Sequence, residues 1–112
     1  MEEGLTVYFL VESPWYTNGL RIHHWGEGYS TTWPGVEMTF VQYNERTPVY
    51  SFTLPKNCTG FIFSCEVSES RQQTVDLLVA NYDEANNLFS LSTEKDDQNH
   101  FLVNVAQFVP AN

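Results

Sequence analysis

The stretch RIHHWGEGYSTTWPG, residues 21 to 35, places two adjacent histidines, two tryptophans and a tyrosine among three glycines. Such a set could bind a metal, catalyse, pack a corner of the core, or present a flat surface to a ligand. Adjacent side chains on a strand point to opposite faces, so His23 and His24 form a poor chelating pair. Glu27 could complete a mixed site with one histidine, which is too few ligands for zinc. No metal site and no cofactor is therefore expected.

Catalysis needs a nucleophile with a base, a pair of carboxylates across a cleft, or a cofactor loop. The motifs G-x-S-x-G, H-E-x-x-H, G-x-x-x-x-G-K-S and G-x-G-x-x-G are absent from the sequence. Glycoside hydrolysis would need two carboxylates flanking a cleft, for which a small, strand-rich domain leaves little volume. A noncatalytic protein is expected.

Period-2 parity decides how the remaining side chains divide. In LRIHHW, Leu20 and Ile22 belong on the buried face and His24 follows them inward or sits at the rim. Arg21, His23 and Trp25 then turn to the opposite face. A twist or bulge at the strand end could still tuck Trp25 into the core, so packing and ligand contact both remain open for it. Trp33 sits on a Pro34-Gly35 turn with few neighbours to hide behind. With His23 it would make a rigid aromatic platform, and the apolar C–H faces of sugar rings suit such a surface.

The elements that must hold these residues read as strands. Aromatic and β-branched runs recur at about 5–12, 20–25, 36–43, 49–54, 60–66, 73–79, 87–92 and 100–108, separated by Gly, Pro, Asn, Asp and Ser clusters. In VYSFTL, Tyr50, Phe52 and Leu54 share one face. VDLLVANYDEANNLF could compete as a helix, but Asp83 and the Asn86-Asn87 pair favour a turn. SPWYTNG, with Pro14, Asn18 and Gly19, and STEKDDQN read as further turns, and a calcium ion in KDDQN is left open. Glu37, Glu66 and Asp76 would blunt exposed edges. The expectation is an all-β fold, an antiparallel β-sandwich of about eight short strands, forming one domain over residues 1–112.

A formal charge of −9 with only five Lys and Arg argues against nucleic-acid or anionic-membrane partners. No stretch approaches the roughly 20 apolar residues that span a bilayer, and MEEGLTVYF lacks the basic region of a signal peptide. Cys58 and Cys65 lie too far apart along one strand to pair, and they read as small semi-buried hydrophobes. Asn57-Cys58-Thr59 matches a glycosylation acceptor, a pattern too short to carry weight.

The sequence resembles carbohydrate-binding module family 26, the starch-binding modules attached to bacterial amylases and related amylolytic proteins. The resemblance runs through LTVYFL, PWYTNGLRIHHW, TTWPGVEMT, VYSFTLP, GFIFS and QQTVDL. It implies a β-sandwich that binds α-1,4-glucans such as starch, amylopectin and maltooligosaccharides. The family's aromatic site uses two alternate positions of the second strand and the Trp of W-P-G, which here are Arg21, His23 and Trp33. Arg21 departs from the family pattern, which commonly has an aromatic there, so a guanidinium would replace a stacking ring. Trp25 is a further candidate contact, and Gln73 of the Q-T-x-D stretch is a candidate hydroxyl partner or a plain strand-edge residue. The resemblance also implies a monomeric module of a larger secreted protein, acting outside the cell or at the bacterial surface. The rival reading is a protein-interaction or structural sandwich whose aromatic patch docks a partner domain.

Overall fold

The structure is a computed structural model and describes residues 3–15 and 19–109; Asn18 of the expected SPWYTNG turn lies outside them. It contains β1 (Glu3–Leu10), β2 (Arg21–Gly26), β3 (Tyr29–Ser30), β4 (Val36–Glu37), β5 (Thr39–Asn44), β6 (Thr47–Pro55), β7 (Cys58–Val67), β8 (Ser70–Gln73), β9 (Leu77–Leu78), β10 (Leu88–Lys95) and β11 (Phe101–Ala106). One sheet runs β11-β10-β1-β6-β5. The other runs β3-β2-β7-β8, with β4 also on β2 and β9 also on β7. The fold is all-β, two packed sheets with mostly antiparallel pairing. Among the described residues, no helix is long and apolar enough to cross a membrane.

Three details depart from the expected eight-strand antiparallel layout. The run 36–43 is not one strand. Val36–Glu37 pairs with β2 and Thr39–Asn44 with β6, while the intervening Met38 is buried in the core as the chain passes between sheets. The run 73–79 is likewise broken: β8 ends at Gln73, β9 covers only Leu77–Leu78, and a single 3₁₀ turn follows at Val79–Asn81. Finally, β1 pairs in parallel with β10, setting Tyr8 beside Leu88 and Phe9 beside Phe89. A parallel pair cannot be joined by a hairpin, so it is invisible to local turn signals.

The core lies between the sheets and is aromatic. Phe9 meets Phe63 at 4.6 Å and Trp15 at 5.4 Å, and Phe89 meets both Phe61 and Phe63 at 5.5 Å. Trp15 is buried because its indole N–H finds the Gln72 Oε1 at 3.0 Å, which satisfies the polar handle a buried tryptophan carries. Tyr50 and Phe52 pack against this core from β6, with Leu54 inside it. The expected turn around Asp83 forms, with its carboxylate accepting the Ala85 N–H at 2.9 Å and the Asn86 side chain at 3.1 Å. Asp96 similarly closes the β10–β11 loop by accepting the Gln98 and His100 amides at 3.0 and 2.9 Å. Both thiols are buried and not joined in a disulfide.

Candidate functional site

The second sheet's outer face is fixed by parity. Ile22 and His24 point inward, and His24 meets Phe52 of the opposite sheet at 5.1 Å. Arg21, His23 and Trp25 therefore line the outer face. Opposite them on β7 stand Ser64, Ile62 and Gly60 in turn. Ile62 is only 7% exposed despite its outward position. Side chains must therefore lie down over β7 rather than stand away from it.

Two glycines make that arrangement possible. Gly60, opposite Trp25, leaves bare backbone for the indole; a Cβ there would come 2.4 Å from Trp25 Cζ2. Gly35 has φ +105°, a conformation that side chains rarely adopt, and a Cβ would meet the Ile22 carbonyl oxygen at 2.1 Å. The W-P-G turn, closed by the Gly35 N–H donating to the Thr32 carbonyl at 2.7 Å, is thus pressed directly onto β2. That contact sets Trp33 beside His23.

The result is a contiguous row of three rings. His23 lies 5.6 Å from Trp25 at an interplanar angle of 37°, and 5.4 Å from Trp33 at 76°. The flatter pair is therefore His23 with Trp25, and the expected His23–Trp33 platform is corrected to an edge-on corner. Trp25 lies outside the central core cluster and is half-buried on the outer face, which corrects the core alternative weighed for it. Trp33 is 43% exposed, as its turn position predicts.

His23 is held by a hydroxyl. Its Nδ1 lies 2.7 Å from Thr31 Oγ1, and the same oxygen accepts the His24 amide at 3.2 Å. Burial of the ring pushes its pKa below the ordinary imidazole value, with the Asp76 carboxylate working against the shift. His24 is lowered too, by burial and then by the neighbouring His23, and its Nδ1 contacts Tyr29 Oη at 2.9 Å. Burial, aided by the Cys58 side chain, raises the Tyr29 phenol.

The two remaining candidates sit apart from the rings to different degrees. Arg21 occupies the next outward position of β2, and its guanidinium turns to Glu37 at 3.6 Å, an exposed ion pair worth about 0–1 kcal/mol. Gln73 pairs with Ser64, which pairs with Arg21, so it stands two strands away, roughly 10 Å. Between them Arg71 covers Ser64, donating to its hydroxyl at 3.1 Å and to the Gly19 carbonyl at 2.9 Å. Gln73 instead borders a polar cleft of about 270 Å³ with Arg71, Lys95 and His100. The sequence pattern does not mark Thr31, Asp76 or Leu78 as site residues. Leu78, 47% exposed, pairs with Gly60 beneath the Trp25 indole. Among the described residues, no group of three or more His, Cys, Asp or Glu side chains is placed to share a metal ion.

No family model, curated protein or solved structure matches the chain significantly.

Proposed function

We propose that this chain is a noncatalytic α-glucan-binding module whose ligand lies on the Trp25–His23–Trp33 row. The observation that carries the reading is the pair of ring angles: a floor of two gently tilted rings meets a wall at 76°. A β-1,4 chain is flat and wants coplanar rings. An α-1,4 chain curves, so consecutive glucose units can lie on the floor and lean against the wall. Polar side chains lie near the rings in the fold or the chain: Ser30, Thr32 and Asp76 are exposed, and the half-buried Arg21 would have to leave Glu37 to reach a sugar hydroxyl. Rings anchored by backbone contact lose little freedom on binding, which keeps the entropic cost low. The resemblance to carbohydrate-binding module family 26 supports the same ligand class. On this reading the module anchors a larger secreted amylolytic protein, outside the cell, to starch or maltooligosaccharides.

Electrophoresis through a native gel containing amylopectin tests the proposal. Retardation relative to a plain gel is expected for the wild type and is lost in Trp33→Ala; equal mobility of the wild type in both gels would overturn it. One observation favours the rival. Leu78 extends the aromatic row with aliphatic area, which suits a protein partner better than a sugar. That reading takes over if the wild type ignores amylopectin.

A further inference from the structure

We propose that Thr31 holds His23 in the Nε2–H tautomer, so that the centre of the aromatic row presents a hydrogen-bond donor and selects a ligand with an acceptor there. Thr31 Oγ1 has two contacts, the His24 backbone nitrogen at 3.2 Å and His23 Nδ1 at 2.7 Å. An amide nitrogen can only donate, so it occupies one lone pair of the hydroxyl. The hydroxyl still has a hydrogen to give, and His23 Nδ1 is the one other contact of this oxygen among the described residues. The reverse arrangement would direct two N–H groups at the oxygen and leave its hydrogen without an acceptor among the described residues. A hydroxyl donating to Nδ1 requires that nitrogen to be bare, which puts the imidazole proton on Nε2.

Nε2 has no hydrogen-bond partner among the described residues and is not sealed from solvent. It therefore offers a solvent-accessible donor on the ring that neighbours both tryptophans. Thr31 is itself pinned, since its amide donates to the His24 carbonyl at 3.0 Å across the β2–β3 edge. It acts through His23, as a positioning residue. The inference rests on the glucan reading only for the identity of the acceptor, a hydroxyl oxygen of the sugar stacked on the neighbouring ring.

Long-range proton–nitrogen correlation spectra of the ¹⁵N-labelled chain at pH 8 test the tautomer without any ligand. The expected pattern for His23 is a protonated Nε2 and a bare Nδ1, and a protonated Nδ1 overturns the inference. Thr31→Val should introduce an Nδ1–H population and weaken maltohexaose several-fold, while Thr31→Ser keeps the wild-type pattern and affinity. An unchanged tautomer in a folded Thr31→Val chain removes Thr31 from the role. Adding maltohexaose should shift the His23 Nε2 signal more than Nδ1; a ligand that binds and leaves Nε2 unmoved overturns the donor role. Absence of maltohexaose binding with the expected tautomer intact would sink the glucan reading and leave the Thr31 lock standing.

Discussion

The indole of Trp25 rests on the backbone of Gly60, with no room for even a methyl group between them. Gly60→Ala therefore has two opposed consequences. Replacing glycine in a strand reduces the entropy lost on folding, by about 0.5–1 kcal/mol. The added carbon must displace the ring, which can swing outward because the outer face is open. Stability is expected to stay within about 1 kcal/mol of wild type, while tryptophan emission shifts to the red and maltohexaose affinity falls about tenfold. Denaturant titration and calorimetric titration on the same sample separate the two effects. A variant that binds normally would show that the Trp25 floor is not part of the ligand surface.

Two tryptophans of this chain should answer the same substitution in opposite ways. Trp33 is exposed on a turn, so Trp33→Ala is expected to change stability by less than about 0.5 kcal/mol. On the glucan proposal its expected effect is on maltohexaose binding, about tenfold or more, which is about 1.4 kcal/mol. Trp15 is enclosed by Phe9 and Phe101 and bonded to Gln72. Trp15→Ala should cost about 3–5 kcal/mol and lower the thermal midpoint steeply. Melting curves and maltohexaose titration of both variants check the contrast.

Parity along β2 is local, which is why the sequence predicts that Ile22 and His24 turn inward and Arg21, His23 and Trp25 outward. The rest of the site depends on register between distant segments. Nothing within residues 21–35 shows that Trp25 faces Gly60 rather than a side chain, because that pairing joins strands thirty-five positions apart. Thr31 looks like any polar turn residue until β3 folds back onto β2. The corner angle between His23 and Trp33 follows from Gly35 lying on the Ile22 carbonyl, again a contact between segments. The same limit explains the fold: the crossing at Met38 and the parallel β1–β10 pair are tertiary choices with no turn signature.

Where β7 loses its neighbour between β8 and β9, a side chain takes the ladder's place. Thr74 is fully buried; its Oγ1 accepts the Phe63 amide at 3.2 Å and donates to the Val75 carbonyl at 3.0 Å. Thr74→Val preserves shape but strands the Phe63 N–H inside the core. An unpaired buried donor costs about 1–3 kcal/mol, and that loss is the expected result. Urea unfolding measures it, and hydrogen exchange at the Phe63 amide should quicken in the native state. Thr74→Ser, which keeps the hydroxyl, is expected to recover most of the loss.

Acidification should weaken the fold through the two adjacent histidines. Both have pKa values lowered in the folded state, first by burial, with Asp76 opposing the shift at His23 and His23 adding to it at His24. The unfolded chain, with imidazoles near 6.5, therefore binds protons before the folded one does. Their contribution is intact above the unfolded value, is lost as pH falls through about 6.5 towards the lowered folded values, and stays lost below them. Easing of the net negative charge on acidification acts in the opposite direction, so the comparison must be internal. His24→Phe keeps a ring against Phe52 but cannot titrate. Its urea midpoint should fall less than the wild type's between pH 8 and pH 5.5, and parallel losses in the two chains would show that His24 protonation contributes nothing to acid destabilisation.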